Sequence, residues 1–326
     1  VYNRQGRDSE LLSYVDGALK REQVAHRDEL NLLAAEAQFR KKNYSESLKG
    51  YQEYLEGRTN PDRGVLFRAG LSAFAQSQFA LAKGLFGRAA SEADSLGQSA
   101  SYYLGASSLQ TGDRQSALTS FQVARRSTDP AIQEESSYQI AKVLYDLGRA
   151  DQAVDELELY LKAFPTSVHD NEMSELLSAA YVNASNYNKA ITHVEAMTRR
   201  TPIMNSVYQK ATYFKGTELF NKDDWSQAIT MFDKSMTVPT DKAIAAACLF
   251  WRGEAQSALR QYDPAIGSYQ QAVNMELKDP ELMASLRYGL GYAFFNLQQF
   301  DKALFHFREL SKYPTDGSIQ QDGLLR

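Results

Sequence analysis

Small and apolar residues recur along the chain in a fixed order, at intervals of 35 to 38 residues. Each unit has a small residue, then alanine or serine twelve positions later, then a large apolar residue four positions after that. The small residues are Ala35, Gly70, Gly105, Ala141, Ser178, Gly216, Gly253 and Gly291. The second positions are Ser47, Ala82, Ala117, Ala153, Ala190, Ala228, Ala265 and Ala303. The large apolar residues are Tyr51, Phe86, Phe121, Leu157, Val194, Phe232, Tyr269 and Phe307. Small residues let paired helices approach closely, and the large residue fills space between units, so the order predicts eight helix–turn–helix units.

Proline supports the same division of the chain. It falls where second helices are expected to end, at Pro61, Pro130, Pro165, Pro202, Pro239 and Pro314. Proline cannot continue a helix because it has no backbone N–H to donate. No stretch alternates apolar and polar residues with the period of two that is typical of a strand. The sequence therefore predicts an all-α fold.

The order of small residue, alanine, aromatic residue and proline resembles the tetratricopeptide repeat (TPR) family. The resemblance covers residues 28–316, with repeats starting near 28, 63, 98, 134, 171, 209, 246 and 284. It implies a right-handed α-solenoid, in which each helix pair stacks on the next. Residues 1–27 contain an amphipathic segment that is predicted to be a cap or part of an earlier repeat. Residues 317–326 are predicted to start a ninth repeat, so we expect the parent protein to extend beyond Arg326, or the uncapped end to form a homodimer.

Charge and composition argue against several classes of function. The chain has 36 basic and 40 acidic residues and a net charge of −4, which gives no attraction for nucleic acid or an anionic membrane. No apolar run approaches the roughly 18–20 residues that a membrane span needs. With a single cysteine, Cys248, the chain can form no internal disulfide and no multi-cysteine metal site.

Motifs for chemistry are also missing from the sequence. The four histidines, His26, His169, His193 and His306, fall in different repeats or end segments, without metal-ligand spacing. Gly289-Leu290-Gly291 begins a dinucleotide-binding pattern, but the third glycine is missing and helix packing explains both glycines. Cys248 lies among apolar residues and is predicted to be buried and inert. We expect no catalytic site, no metal and no cofactor.

The resemblance implies that the first helices line a concave surface where a partner binds. One slot on these helices, polar by default, carries Leu33, Arg68, Tyr103, Gln139, Leu176, Phe214, Trp251 and Gly289. Because Phe214 and Trp251 are unusual there, we predict a partner-binding aromatic patch in repeats six to eight. It comprises Tyr213, Phe214, Phe250, Trp251, Glu254, Tyr288 and Tyr292. Glu254 could orient a basic group of the partner. The alternative is that these aromatics only pack between helices, as is ordinary for the family.

The function that follows is a non-catalytic scaffold that binds a protein or peptide. The family's two-carboxylate clamp is absent, because the matching positions hold Tyr102, Ala106, Tyr138 and Gln139. The repeat ends at 160–167 and 312–315 resemble those of bacterial envelope TPR proteins, which favours the periplasm or cell envelope over the cytoplasm. The alternative function is an interaction arm of a larger enzyme or sensor whose active domain lies outside this sequence.

Overall fold

A computed structural model describes residues 6–20, 26–276, 278–313 and 322, and within them it contains seventeen α-helices and no strand. The chain divides into two compact units, Val1–Met173 and Ser174–Arg326. The first unit contains α1 (Asp8–Leu19), α2 (Arg27–Arg40), α3 (Tyr44–Leu55), α4 (Arg63–Ala75), α5 (Phe79–Ala89), α6 (Ser95–Gln110), α7 (Arg114–Ala124), α8 (Pro130–Asp146) and α9 (Ala150–Ala163). Helix α10 (Asp170–Asn183) begins in the first unit and ends in the second. The second unit continues with α11 (Tyr187–Glu195), α12 (Pro202–Phe220), α13 (Trp225–Met236), α14 (Lys242–Ala258), α15 (Tyr262–Val273), α16 (Pro280–Asn296) and α17 (Phe300–Leu310).

Within each unit the helices form a stack of hairpins. Sequence neighbours pack against each other, as α4 does with α5 and α12 with α13. The first helices of successive hairpins also touch, since α4 contacts α6, α12 contacts α14, and α14 contacts α16. Each unit is therefore an α-solenoid built from short-range contacts, which confirms the predicted fold class. The predicted start of a ninth repeat lies outside the described residues except for Asp322.

Many helices begin at an aspartate whose side chain accepts a backbone N–H of the first turn. Asp94 accepts from the Gly97 N–H at 2.7 Å, and Asp62, Asp113, Asp224, Asp241 and Asp279 cap their helices in the same way. Such a cap satisfies an N–H that has no partner inside the helix. Pro130 and Pro202 were predicted to end the second helices of their repeats. The structure places them in the first turns of α8 and α12, the first helices of the following hairpins.

Each of the eight hairpin turns contains one residue in the left-handed backbone region. It lies seven positions after the small residue of its repeat, and the set is Lys42, Ser77, Gly112, Gly148, Ser185, Asp223, Arg260 and Gln298. The backbone N–H of the following residue donates to a carbonyl five positions earlier, as Asn43 does to Gln38 at 2.9 Å. This closure caps the first helix and reverses the chain. Only two of the eight turns use glycine at this position.

Contacts at the hairpin crossing explain why the small residue and the aromatic residue occur together. A Cβ added at Gly216 would lie 2.5 Å from Cε1 of Phe232, and one at Gly70 would lie 2.6 Å from Cε1 of Phe86. Phe86 and Phe232 are fully buried. The ring of the second helix thus takes the space that a side chain on the first helix would need. The ring was predicted to fill the space between repeats. Its tip lies inside its own hairpin, and the ring also contacts the next repeat, as Phe86 does by stacking on Tyr103 at 5.4 Å between centroids.

We expect Gly216→Ala to lower the free energy of unfolding by about 1–3 kcal/mol, because the new methyl group must displace the ring of Phe232. Gly267 in α15 is a matched control, since a Cβ there meets nothing within 4 Å. Gly267→Ala should raise the free energy of unfolding by up to about 1 kcal/mol, because alanine favours a helix more than glycine does. Urea unfolding followed by circular dichroism at 222 nm compares the two, and a Gly216→Ala protein as stable as Gly267→Ala would contradict the crossing geometry.

Candidate interaction surface on the first helices

The aromatic patch lies entirely in the second unit, on three first helices that pack side by side. Tyr213 and Phe214 belong to α12, Phe250, Trp251 and Glu254 to α14, and Tyr288 and Tyr292 to α16. Because α14 contacts both α12 and α16, the three helices bring these residues onto neighbouring rows. Residues at equivalent positions of successive repeats therefore form rows of side chains across the stacked first helices.

Trp251 is half-buried and joins two first helices. Its ring makes edge-to-face contacts with Phe220 of α12 at 5.0 Å and with Phe250 of its own helix at 5.1 Å between centroids. It also packs with Tyr213 against a buried cluster around Phe232 and Cys248. Trp251 therefore holds α12 and α14 together while part of its ring stays accessible.

Phe214 is the most accessible ring of the patch, with 39% of its surface exposed. It stacks on Tyr187 of α11, with centroids 5.5 Å apart and ring planes 24° from parallel, and it contacts Tyr213 at 5.2 Å. Burial raises the pKa of Tyr213, and the Trp251 side chain beside its hydroxyl opposes the rise. Tyr213 contacts Phe214 and packs in the same cluster as Trp251, so these three rings are held by their neighbours.

Glu254 lies one turn after Phe250 and Trp251 on the same side of α14. Its Oε1 accepts a hydrogen bond of 2.6 Å from the hydroxyl of Tyr269, the aromatic residue of the same repeat. Tyr269 is buried, and its hydroxyl also lies 3.2 Å from the Ser257 hydroxyl. Burial raises the pKa of Glu254, and the hydrogen bond from Tyr269 partly opposes this. The sequence did not predict Tyr269 as part of the surface, because it was assigned to the hairpin core.

Tyr288 and Tyr292 form the end of the patch on α16. Their rings stack with centroids 6.4 Å apart, and Tyr292 makes an edge contact with Tyr262 at 6.4 Å. Tyr288 packs on Phe307 and donates a hydrogen bond to Asp322. Both rings are therefore held by contacts with other residues of the second unit, and they form the end of the patch on α16.

Groups that could support chemistry are dispersed. His26 is exposed and pairs with Glu29, whereas His169 stacks on Tyr138 at 4.0 Å between centroids. His306 is buried against Phe294. Within the described residues no three His, Cys, Asp or Glu side chains come together as a metal site. In the same part of the chain, no helix combines the length and apolar character needed to cross a bilayer.

Comparison with known families identifies the architecture. Sequence profiles described as tetratricopeptide repeat match residues 67–132, 135–167 and 252–316, which together make up half of the chain. The chain belongs to the tetratricopeptide repeat family, a family of protein-interaction scaffolds. A comparison with curated proteins gave no match.

Solved structures with a similar fold include several TPR proteins. The structure of Naa15/Naa10 bound to HypK-THB aligns with a TM-score of 0.56 and 17% identity, over 91% of this chain and 44% of that chain. This chain therefore spans less than half the length of that relative. YrrB, described as a TPR protein with an unusual peptide-binding site, gives a TM-score of 0.45 and 15% identity over 63% of this chain and 97% of its own. The MamA protein gives 0.43 and 15% over 52% and 88%.

Cys248 should react slowly with thiol reagents in the folded protein. It is fully buried, and burial raises the pKa of its thiol to about 11. Because the thiolate is the reactive form, we expect labelling by a disulfide reagent at pH 8 to be at least about a hundredfold slower than in urea-unfolded protein. Equal labelling rates with and without urea would show that the thiol is accessible.

His306 should make the second unit less stable in mild acid. Burial, reinforced by the nearby Arg287 guanidinium, lowers its pKa from the ordinary 6.5 to about 4. The unfolded chain then binds the proton more tightly, so this stability is present above pH 6.5 and is lost as the pH falls toward 4. Between pH 7 and pH 5 the loss is about 2 kcal/mol. Urea unfolding at both pH values should show a smaller drop for His306→Gln than for wild type, and equal drops would rule out this role.

Proposed function

We propose that the chain binds a peptide segment of a partner protein on the aromatic patch of its second unit. Phe214 and Trp251 are the main contacts in this proposal, with Tyr213, Phe250, Tyr288 and Tyr292 forming the walls. The observation that carries the proposal is the 39% exposure of Phe214 in a row of rings that continues to the partly accessible Trp251.

The chemistry of the patch favours a protein ligand. Tryptophan and tyrosine dominate the energetics of protein interfaces, because they bury a large apolar area and still offer a polar group. Phenylalanine in a slot that is polar by default leaves part of its apolar surface in water, since 39% of Phe214 is exposed beyond its packing contacts. A partner side chain placed between Phe214 and Trp251 would remove this surface from water.

Pre-organisation also supports the proposal. Phe214 is held by Tyr187 and Tyr213, and Trp251 by Phe220 and Phe250. Rings that are already fixed lose little conformational freedom when a partner binds, so more of the contact energy appears as affinity. The same contacts explain how these residues serve both the packing of the helices and the binding of a ligand.

The proposal predicts that Phe214→Ala and Trp251→Ala weaken peptide binding. Peptides selected from a phage-displayed random library on the wild-type protein supply the probes, and fluorescence polarisation gives their dissociation constants. Removal of an interface aromatic should cost about 2 kcal/mol or more, which corresponds to about 30-fold in affinity. Because Phe214 is more exposed than Trp251, its variant separates binding from helix packing more cleanly.

Phe305→Ala is the matched control, since Phe305 is an exposed phenylalanine, with 55% of its surface accessible, on the second helix α17. Its affinity for the selected peptides should stay within about twofold of wild type. Circular dichroism should show the same helix content in all three variants. Selected peptides that bind Phe214→Ala and Trp251→Ala as tightly as wild type would place the binding surface elsewhere.

The expectations about the biological setting rest on the sequence alone. The bacterial envelope location, the homodimer through an uncapped end, and the alternative role as an arm of a larger enzyme or sensor stay predictions. The proposed surface is compatible with each of them, because a peptide can be bound by an independent scaffold or by one arm of a longer protein.

A further inference from the structure

The first unit contains an ion pair between Glu36 and Arg68, in which the glutamate that follows the small residue of a repeat binds a guanidinium. Glu36 directly follows the small residue of its repeat, and Arg68 stands two positions before the small residue of the next. Both Nε and Nη2 of Arg68 lie 2.8 Å from Oε1 of Glu36. Tyr51 ends beside this pair: burial and Glu36 raise the pKa of its hydroxyl, and Arg68 opposes the rise. Glu36 thus receives a guanidinium from the neighbouring first helix, beside the buried Tyr51 hydroxyl, which itself makes no hydrogen bond within the described residues.

The second unit repeats two of these three groups. Glu254 directly follows the small residue Gly253, and Tyr269 occupies the position equivalent to Tyr51. The Tyr269 hydroxyl donates to Glu254 at 2.6 Å. The third position, equivalent to Arg68, is Gly289, which has no side chain. The glutamate–tyrosine pair is therefore present without its arginine.

No basic group of the described residues takes the place of this arginine. Glu254 has no ion-pair partner among them, and its hydrogen bond comes from Tyr269. Arg252, two positions away on α14, turns to Asp233 at 2.7 Å and to Ser268 at 3.0 Å. The Tyr269 ring takes the space beside Gly289, because a Cβ there would lie 2.7 Å from Cζ of Tyr269, so a cation for Glu254 has to come from outside α16. A half-buried carboxylate without a cation is costly, and an arriving cation would relieve that cost.

We propose that Glu254 and Tyr269 form a subsite for an arginine side chain of the bound partner, whose guanidinium would pair with Glu254 as that of Arg68 pairs with Glu36 in the first unit. The subsite rests on the proposed function, because it belongs to the same row of side chains as Phe214 and Trp251. Trp251 lies one turn before Glu254 on the same side of α14, where its ring can stack with a guanidinium. The Ser257 hydroxyl, which lies 3.2 Å from that of Tyr269, adds a further polar group.

Arginine is favoured over lysine by the internal example. Arg68 places two of its nitrogens against one glutamate oxygen, which a single ammonium group cannot do. The partner segment is therefore expected to combine an arginine with an apolar residue, the arginine reaching Glu254 and the apolar residue contacting the rings beside Phe214.

The test uses peptides selected from the phage-displayed library on the wild-type protein, each resynthesised with citrulline, the neutral isostere, in place of arginine. We expect the selected peptides to share an arginine, and wild type to bind the arginine form at least tenfold more tightly than the citrulline form. Glu254→Gln keeps an acceptor for Tyr269 but loses the charge, so this preference should fall below about twofold. Glu36→Gln, which changes the equivalent glutamate of the first unit, is the matched control and should keep the tenfold preference.

The outcomes distinguish a failure of the arginine subsite from a failure of the proposed binding surface. Equal binding of arginine and citrulline peptides by wild type, with both weakened by Phe214→Ala, would overturn the subsite and leave the proposed surface standing. A tenfold preference that persists in Glu254→Gln, or selected peptides that carry lysine or no basic residue, would also overturn the subsite. Peptides that bind Phe214→Ala as tightly as wild type, or a selection that yields no binder, would overturn both.

Discussion

The structure depends on the seating of one apolar side chain against a small residue in each hairpin. Where glycine occupies the first helix, the aromatic ring of the second helix fills the space that a Cβ would need, as Phe232 does at Gly216. The ring fixes the distance between the two helices and is itself removed from water. Because the two helices of each hairpin are held at a fixed distance, successive hairpins pack through surfaces of fixed shape. A contact repeated within each hairpin thus determines how the helices stack.

The same seating connects the interior with the surface. A phenylalanine at this position ends in carbon, whereas a tyrosine adds a hydroxyl at the tip of the ring. At Tyr269 that hydroxyl meets Glu254, so a buried ring holds a carboxylate of the candidate binding surface in place. The Glu254 carboxylate is therefore already positioned, which would lower the entropic cost of binding a partner there.

The sequence predicted the helical hairpins because their packing requires particular residue sizes at fixed intervals. It also predicted that Phe214 and Trp251 would lie on adjacent first helices, since both follow from the repeat alone. It did not predict the contact between Glu254 and Tyr269, because these residues lie on different helices and the tyrosine was assigned only a space-filling role. The left-handed turns were missed for another reason. Their residues, such as Lys42 and Gln298, share a backbone shape but no side-chain chemistry.

Those turns have a consequence for how stable the chain can become. A left-handed backbone suits glycine, and any other residue there carries a strain of about 1 kcal/mol. Six of the eight hairpin turns carry a residue other than glycine. Natural proteins are rarely at their stability optimum, so glycine at these turns offers a way to raise the thermal stability of the chain without changing its helices.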